Sequence, residues 1–566
     1  MSIVGPDVDA ARGDRFPFGA NEDPRGDEKF VTLPGLLDYA VREYANDIAV
    51  VDGLDDPDHT ARLTFAELGE AVTEAARGFL AIGVARGDRV ALWAPNCLEW
   101  IVAALGITSV GGVVVTLNTR FKGAEAAYII NNAAAKVLCT VEGFLGADYP
   151  AQLVGEDLGP LAKIVMLKGQ ASALPAGVTA ITWHDVLAGG AGVEDEALAA
   201  ARSAVAPTDM ADIIFTSGTT GKPKGVVTSH AQTLRTFATW ANIVGLRHGD
   251  RYLIVNPFFH TFGYKSGLLA SLMAGATMYP VAVFDVPLVG RYLVDEQISV
   301  LPGPPTLFQS LLAGENPAVT MASLRLVVTG AALVPVELVK TLQDDLGVET
   351  VLTAYGLTES TGVVTMCRQG DAPEVIAKTS GRAIPHVEVR IVDKDNVEVP
   401  RGEAGEVVLR GYNVLLEYFA NEAATKETID AEGFLHTGDI AVMDEAGNII
   451  ITDRLKDMYV VGGFNAYPAE IEAQLRQHRG IAQVAVIGVP DERMGEVGCA
   501  YVVAAQGATE ELGKELLAYA AANLANYKVP RYLVFIDALP LNASGKVLKR
   551  ELREQFAAGT DPVVTK

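Results

Sequence analysis

At 566 residues the chain is too long for one ordinary domain and suits roughly three or four packed units. Hydrophobic residues make up 49% and charged residues 20%, which excludes global disorder. With 45 Lys and Arg against 70 Asp and Glu, the formal charge of −25 excludes nucleic acid or an anionic membrane as the main partner.

In chain order, residues 1–28 are acidic and dotted with Gly and Pro, and read as a loose arm. They carry neither a basic region nor an apolar core of the secretory type. Leu36, Leu37, Ala40, Val41 and Tyr44 recur at helical spacing, and residues 48–51 read as a strand. Thr64 followed by Glu67 has the capping-box pattern and predicts a helix running to about Leu80. Residues 90–93 read as a further strand. Residues 100–118 and 267–284 are uncharged for about the length of a membrane span, but Gly111, Gly112, Gly275 and Pro280 interrupt them. Both read as buried α/β core, so no transmembrane segment is expected. Residues 141–206 are weakly patterned. From 207 onward apolar strands alternate with amphipathic segments, the rhythm of parallel sheets covered by helices. Cys97, Cys139, Cys367 and Cys499 are scattered without CxxC pairing, so structural zinc is not expected and a reduced, cytoplasmic compartment is.

The most informative stretch is Thr216-Ser-Gly-Thr-Thr-Gly-Lys-Pro-Lys-Gly225. It places four hydroxyls, three glycines and two lysines between an apolar strand at 212–215 and a helix beginning near Ser229. Glycines turn successive N–H groups toward an anion, and hydroxyls and lysines add donors and charge. The loop suits phosphates. It is not a Walker A loop, because Gly218 and Gly221 lie too close together and Pro223 follows Lys222.

After residue 453 the texture changes. Asp453-Arg-Leu-Lys-Asp457 separates strand-like 448–451 from strand-like 458–461. Beyond it, a helix start at 469–474, strands at 484–489 and 500–504, a helix at 510–524 and a strand at 532–536 compose a small unit. The charged pentad between a large and a small unit suggests a hinge. The expected organisation is an arm at 1–28, a large domain at 29–452, a hinge at 453–457 and a small C-terminal domain at 458–566.

The phosphate-loop stretch resembles the signature of AMP-forming acyl-CoA synthetases, the superfamily that includes firefly luciferase and nonribosomal peptide adenylation domains. Seven further stretches look like motifs of that family, in its order. They are Pro257-Phe-Phe-His-Thr-Phe-Gly263, Thr329-Gly-Ala-Ala332, Tyr355-Gly-Leu-Thr-Glu359, His436-Thr-Gly-Asp439, the 453–457 pentad, Val461-Gly-Gly463 and Pro540-Leu-Asn-Ala-Ser-Gly-Lys546. The resemblance implies an α/β fold: a large N-terminal domain of layered sheets and helices, and a small, mobile α+β C-terminal domain.

It also implies a two-step reaction with ATP, Mg²⁺ and coenzyme A. A carboxylate attacks the α-phosphate of ATP to give acyl-adenylate and pyrophosphate, and a thiol then displaces AMP. By resemblance, Thr216, Ser217, Gly218, Thr219, Thr220, Gly221 and Lys222 hold the β- and γ-phosphates. Glu359 and Thr219 supply oxygen to the metal, as a hard cation prefers. Tyr355 stacks on adenine with Gly330 and Ala331 beside it, and Gly356 and Thr358 belong to the same nucleotide site. Asp439 accepts from the ribose hydroxyls, and Arg454 reaches the ribose or phosphates. Lys546 is the catalytic cation that bridges substrate carboxylate and α-phosphate, a preorganised contact of the kind that contributes ~3–4 kcal/mol. Lys456 sits at the hinge position, and Gly462 and Gly463 line the thiol tunnel once the small domain has rotated.

For the acyl pocket, Phe258, Phe259, His260 and Phe262 give an aromatic approach, with Gly263, Tyr264 and Lys265 beyond it. His260 occupies a position where the family often places a gating or pocket residue. Lys265 lies in an otherwise apolar run, so it snorkels, pairs with a carboxylate or meets a polar substrate group. Trp240 and Leu301-Pro-Gly-Pro-Pro305 shape the same cavity. The pocket motifs look closest to actinobacterial fatty-acid–CoA ligases, within them the type acting on a propanoate attached to a steroid ring remnant. A medium- or long-chain fatty acid is the competing substrate. The other readings are a carrier-protein-loading enzyme acting in trans, a noncatalytic nucleotide binder and a luciferase-like oxygenase. A homodimer is among the assemblies this class allows.

Overall fold

The computed structural model describes residues 30–566 except 55–59, 217–222, 315, 331–333, 455–456, 462–463, 467, 492–493, 525, 542–546, 560–562 and 566. For 453–454, 460, 464–465 and 563–565 it describes the backbone. The chain divides into two compact units, Met1–Val389 with Leu409–Leu435, and Arg390–Val408 with His436–Lys566.

The first unit is built on two large sheets. One has eight strands, with a parallel run of Met210–Thr216, Val113–Thr116, Arg89–Trp93, Val137–Val141, Lys163–Lys168 and Thr179–Thr182. Lys224–Ser229 and Glu417–Tyr418 add two antiparallel strands at one edge. The central members are buried along their whole length and mostly apolar, as suits strands covered on both faces. The second sheet has nine strands around a parallel run of Thr277–Pro280, Arg251–Ile254, Val300–Gly303, Leu326–Thr329 and Thr350–Tyr355.

Local signals place the helices. Thr64 caps Phe65–Ala81 in a reciprocal capping box with Glu67, as its sequence predicts. Ser229 and Gln232 do the same for His230–Val244. Residues 98–116 resolve into helix Leu98–Ser109, a turn at Gly111 and strand Val113–Thr116. Among the described residues no helix is long and apolar enough to cross a membrane.

The second unit contains a four-stranded sheet built largely from Glu388–Val392, Ala404–Arg410, Leu435–Met443 and Ile449–Arg454. Its second sheet pairs Ile481–Asp491 with Gly495–Ala504, which in turn pairs with Tyr532–Phe535, under helices Pro468–Leu475 and Glu510–Asn523. The compact units are drawn differently from the expected bounds. Asp439 and Arg454 are direct antiparallel partners, so a cut at 453 would sever a sheet, and residues 436–452 cluster with the C-terminal unit.

Candidate active site

Three candidate motifs of the first unit stand where parallel strands end. Thr216 closes strand Met210–Thr216, Gly330 follows Leu326–Thr329, and Tyr355 closes Thr350–Tyr355. Ligands of open α/β sheets collect at the carboxyl ends of strands, where loops leave backbone donors free of the ladder. Residues 217–222 and Ala331 lie outside the described residues, as do Lys456, Gly462, Gly463 and Lys546. Arg454 is described only as a strand residue opposite Asp439.

At the edge of the phosphate loop the structure brings Thr216 and Glu359 together. Glu359 lies in a single 3₁₀ turn, Thr358–Ser360, immediately after the Tyr355 strand. Its Oε1 accepts from Thr216 Oγ1 at 3.3 Å and from Tyr418 OH at 2.9 Å. Its backbone carbonyl accepts from Leu415 N at 2.8 Å. The turn is tight enough that a Cβ on Gly356 would lie 2.1 Å from the Gly362 carbonyl oxygen, which explains glycine at 356.

Sequence reading missed Tyr418, which is 5% exposed. The segment reaches the site because Leu416 N and Phe419 N donate to Val227 O and Gly225 O along the edge strand, at 3.0 and 2.7 Å. Its ring carries the ammonium of Lys224 at 4.9 Å from the centroid, and Lys224 is the ladder partner of Thr216. Burial, then the neighbouring Glu359 carboxylate, raises the phenol's pKa, so Tyr418 stays protonated and donates. A two-residue strand carries almost no periodic signal. The one available cue was an aromatic ahead of Asn421, which caps helix Glu422–Thr428.

Carboxylate oxygen is the donor a Mg²⁺ ion prefers, and such ions are usually held by one or two carboxylates together with substrate phosphates. Among the described residues no cluster of three or more metal-binding side chains exists. Glu359, hydrogen-bonded to Thr216 at the edge of the phosphate loop, is a carboxylate of the kind that fits an ion delivered with ATP.

The aromatic approach is built at the end of strand Arg251–Ile254. Gly263 sits where a Cβ would lie 2.2 Å from the Pro257 carbonyl oxygen and 2.4 Å from that of Asn256. A wide π-turn, Phe262–Leu269, follows. Phe262 meets the edge of Trp240 at 6.0 Å, while Phe258 and Tyr264 pack on Trp100 at 4.9 and 5.3 Å. His260 is exposed, and its Nδ1 accepts from Phe262 N at 3.3 Å.

Lys265 lies within that π-turn, and its side chain is 1% exposed. It pairs with Asp212 at 2.9 Å and donates to Thr228 Oγ1 and Thr233 Oγ1 at 2.7 and 3.2 Å. Of the three options for a lysine in that apolar run, the carboxylate partner is the one realised. Asp212 was unrecognised because it is hidden in an apolar strand.

In the second unit, Asp439 is buried and fixed by its backbone neighbours. Its N–H donates to Thr437 Oγ1 at 3.1 Å, and Thr437 Oγ1 donates to Val407 O at 2.7 Å. Glu406 accepts from Gly438 N at 2.9 Å and meets His436 Nδ1 at 2.9 Å. Gly438 has φ +68°, a left-handed conformation that explains glycine within the Thr-Gly-Asp turn.

Comparison with known proteins decides the family. The model of the AMP-binding enzyme family matches residues 37–419, and that of the AMP-binding enzyme C-terminal domain matches 470–546. The chain belongs to the AMP-binding enzymes. This AMP-binding enzyme is 47% identical over 93% of its length to 99% of the 3-[(3aS,4S,7aS)-7a-methyl-1,5-dioxo-octahydro-1H-inden-4-yl]propanoyl:CoA ligase of Rhodococcus jostii. It is 34% identical, over 89% of its length and 95% of the relative's, to the long-chain-fatty-acid–CoA ligase FadD13 of Mycobacterium tuberculosis. The ATP-bound crystal structure of MatB from Rhodopseudomonas palustris matches with a TM-score of 0.79 at 28% identity, covering 93% of this chain and 99% of that one. The two-domain α/β architecture of the adenylate-forming enzymes is thereby established. So is the class of reaction: the AMP-binding enzyme is an AMP-forming acid–thiol ligase that works with ATP, Mg²⁺ and coenzyme A.

Proposed function

We propose that this AMP-binding enzyme activates a bulky, ring-bearing propanoate of steroid origin as its coenzyme A thioester. The observation that carries the reading is identity of 47% across 99% of a ligase named for such an acid, against 34% for the long-chain fatty-acid ligase. Pocket walls diverge faster than catalytic loops, so the higher identity is the better guide to the acid.

In the first step the substrate carboxylate attacks the α-phosphorus of ATP, and the bond to the pyrophosphate oxygen breaks. In the second the thiol sulfur attacks the acyl carbon, and the carbon–oxygen bond to AMP breaks. Bound Mg²⁺ supplies charge neutralisation for the phosphates. The chain supplies position. Thr216 and the 217–222 loop hold the β- and γ-phosphates, and Glu359, fixed through Oε1, and Thr219 face the metal. Tyr355 and Thr358, with Gly330, Ala331 and Gly356, form the nucleotide slot. Asp439 accepts from the ribose hydroxyls, with Arg454 beside it on the partner strand. Lys546 bridges carboxylate and α-phosphate. The 453–457 pentad, with Lys456, acts as the hinge that exchanges Lys546 for Gly462 and Gly463 between steps. The acid enters past His260 and Phe262 at the turn fixed by Gly263, with Tyr264 behind. Its cysteines Cys97, Cys139, Cys367 and Cys499 are all free and buried, which supports work in a reducing, cytoplasmic compartment.

The test is thioester formation with ATP, Mg²⁺ and coenzyme A across acids from acetate to palmitate and bicyclic diketo-propanoates. Highest kcat/KM for the bicyclic acids supports the reading. Highest kcat/KM for a straight-chain acid replaces it with a fatty-acid ligase.

A further inference from the structure

We propose that Tyr418 is a positioning residue for the adenylation step: it orients Glu359 toward the metal and seats Lys224 beside the phosphates. The proposal deepens the reading above and rests on Glu359 being the residue that faces Mg²⁺.

The argument begins with which oxygen of Glu359 is engaged. Among the described residues both hydrogen bonds to the carboxylate fall on Oε1, from Tyr418 OH at 2.9 Å and Thr216 Oγ1 at 3.3 Å. Two donors converging on one oxygen fix the plane of the carboxylate and turn Oε2 to the other side. Hydrogen bonds from neutral donors leave a carboxylate's negative charge uncancelled. A salt bridge in the same place would neutralise the group and compete with a cation.

The same ring acts on a second charge. Lys224 Nζ lies over the Tyr418 face at 4.9 Å, an attraction to the ring quadrupole that leaves the ammonium's own donors free for an anion. Lys224 is registered opposite Thr216, at the last ladder rung before the phosphate loop. One side chain therefore holds both an anion and a cation beside Thr216, the anion through its hydroxyl and the cation over its ring face.

Tyr418 is itself held by ordinary structure. Its N–H donates to Thr425 Oγ1 at 2.9 Å, and its strand pairs with Val226. Positioning thus reaches the site from the edge of the eight-stranded sheet. Groups that orient the ligands of a metal typically change metal affinity by about 10–100-fold when removed.

The test uses the full-length protein and Tyr418→Phe, with MgATP binding followed by calorimetry at varied Mg²⁺ in the absence of acid. The expected result is a roughly tenfold higher Mg²⁺ requirement for ATP binding, the loss of one hydrogen bond to a charged acceptor. ATP binding without Mg²⁺, the KM for the acid and the melting temperature should stay close to wild type. Tyr418→Leu, which also removes the ring, should additionally weaken Mg²⁺-free ATP binding. A wild-type Mg²⁺ requirement in Tyr418→Phe overturns the proposal. If that variant does not fold, Thr216→Val removes the other bond to Oε1 and must shift the Mg²⁺ requirement the same way, and no shift overturns it equally. ATP binding that is indifferent to Mg²⁺ in the wild type overturns the role of Glu359, and this proposal with it.

Discussion

Lys265 and Asp212 form an ion pair of 2.9 Å in which the two side chains are 1% and 0% exposed. The pair ties the π-turn carrying the aromatic approach to the strand that ends in the phosphate loop. Burial lowers the lysine's pKa, and the Asp212 charge pulls it back.

Removing one partner leaves the other charged and sealed. Lys265→Met is expected to cost about 3–5 kcal/mol of stability. The double variant Asp212→Asn/Lys265→Met should be less damaged than the single by more than about 1 kcal/mol, because no orphan charge remains. Denaturant unfolding of both variants checks this, and additive losses would contradict it.

His230 gives a pH dependence. Its ring is fully buried and Nδ1 accepts from Leu33 N at 3.2 Å, while burial holds its pKa down at about 4 against an ordinary 6.5. The folded state therefore prefers the neutral ring, and the unfolded chain binds the extra proton. Stability from this group is complete above pH 6.5 and is lost as pH falls toward 4. The loss amounts to about 3 kcal/mol. His230→Asn keeps an acceptor near Leu33 N but does not titrate there, so its stability between pH 7 and 4 should fall by about that much less than wild type.

Gly263 marks a place where backbone passes backbone. Gly263→Ala would bring a Cβ to 2.2 Å from the Pro257 carbonyl, and the turn must move to relieve it. Misplacement of about an ångström costs on the order of 10²-fold in turnover. The loss should appear in kcat/KM for the acid while ATP affinity is retained, as steady-state kinetics and calorimetry would report.

The half-reactions should separate. Lys546→Ala is expected to lose adenylation by ~10²–10³ yet still convert supplied acyl-adenylate to thioester. Gly463→Leu should do the reverse, because a side chain there closes the path of the thiol. Equal damage to the same half-reaction would remove the basis for domain alternation.

Much of this was legible in the sequence because the signals were local. Thr64 with Glu67, and the helix beginning just past Ser229, have the capping chemistry their residues announce. Thr216 and Glu359 lie 143 positions apart, and their contact follows from family motifs rather than from spacing. Lys265 was recognised as needing a partner, but Asp212 looked like one polar residue in an apolar strand. Tyr418 carried no periodicity, since a two-residue edge strand has none. Strand pairing across 436–454 is likewise a long-range property that a charged pentad does not reveal.

The most direct test of the central claim is acid-dependent exchange of labelled pyrophosphate into ATP, measured first without coenzyme A and then with it. The account predicts exchange that requires both the acid and Mg²⁺, and then thioester and AMP in equal amounts when coenzyme A is added. Thioester formation with no acid-dependent exchange, or release of ADP in place of AMP, would contradict an adenylate intermediate.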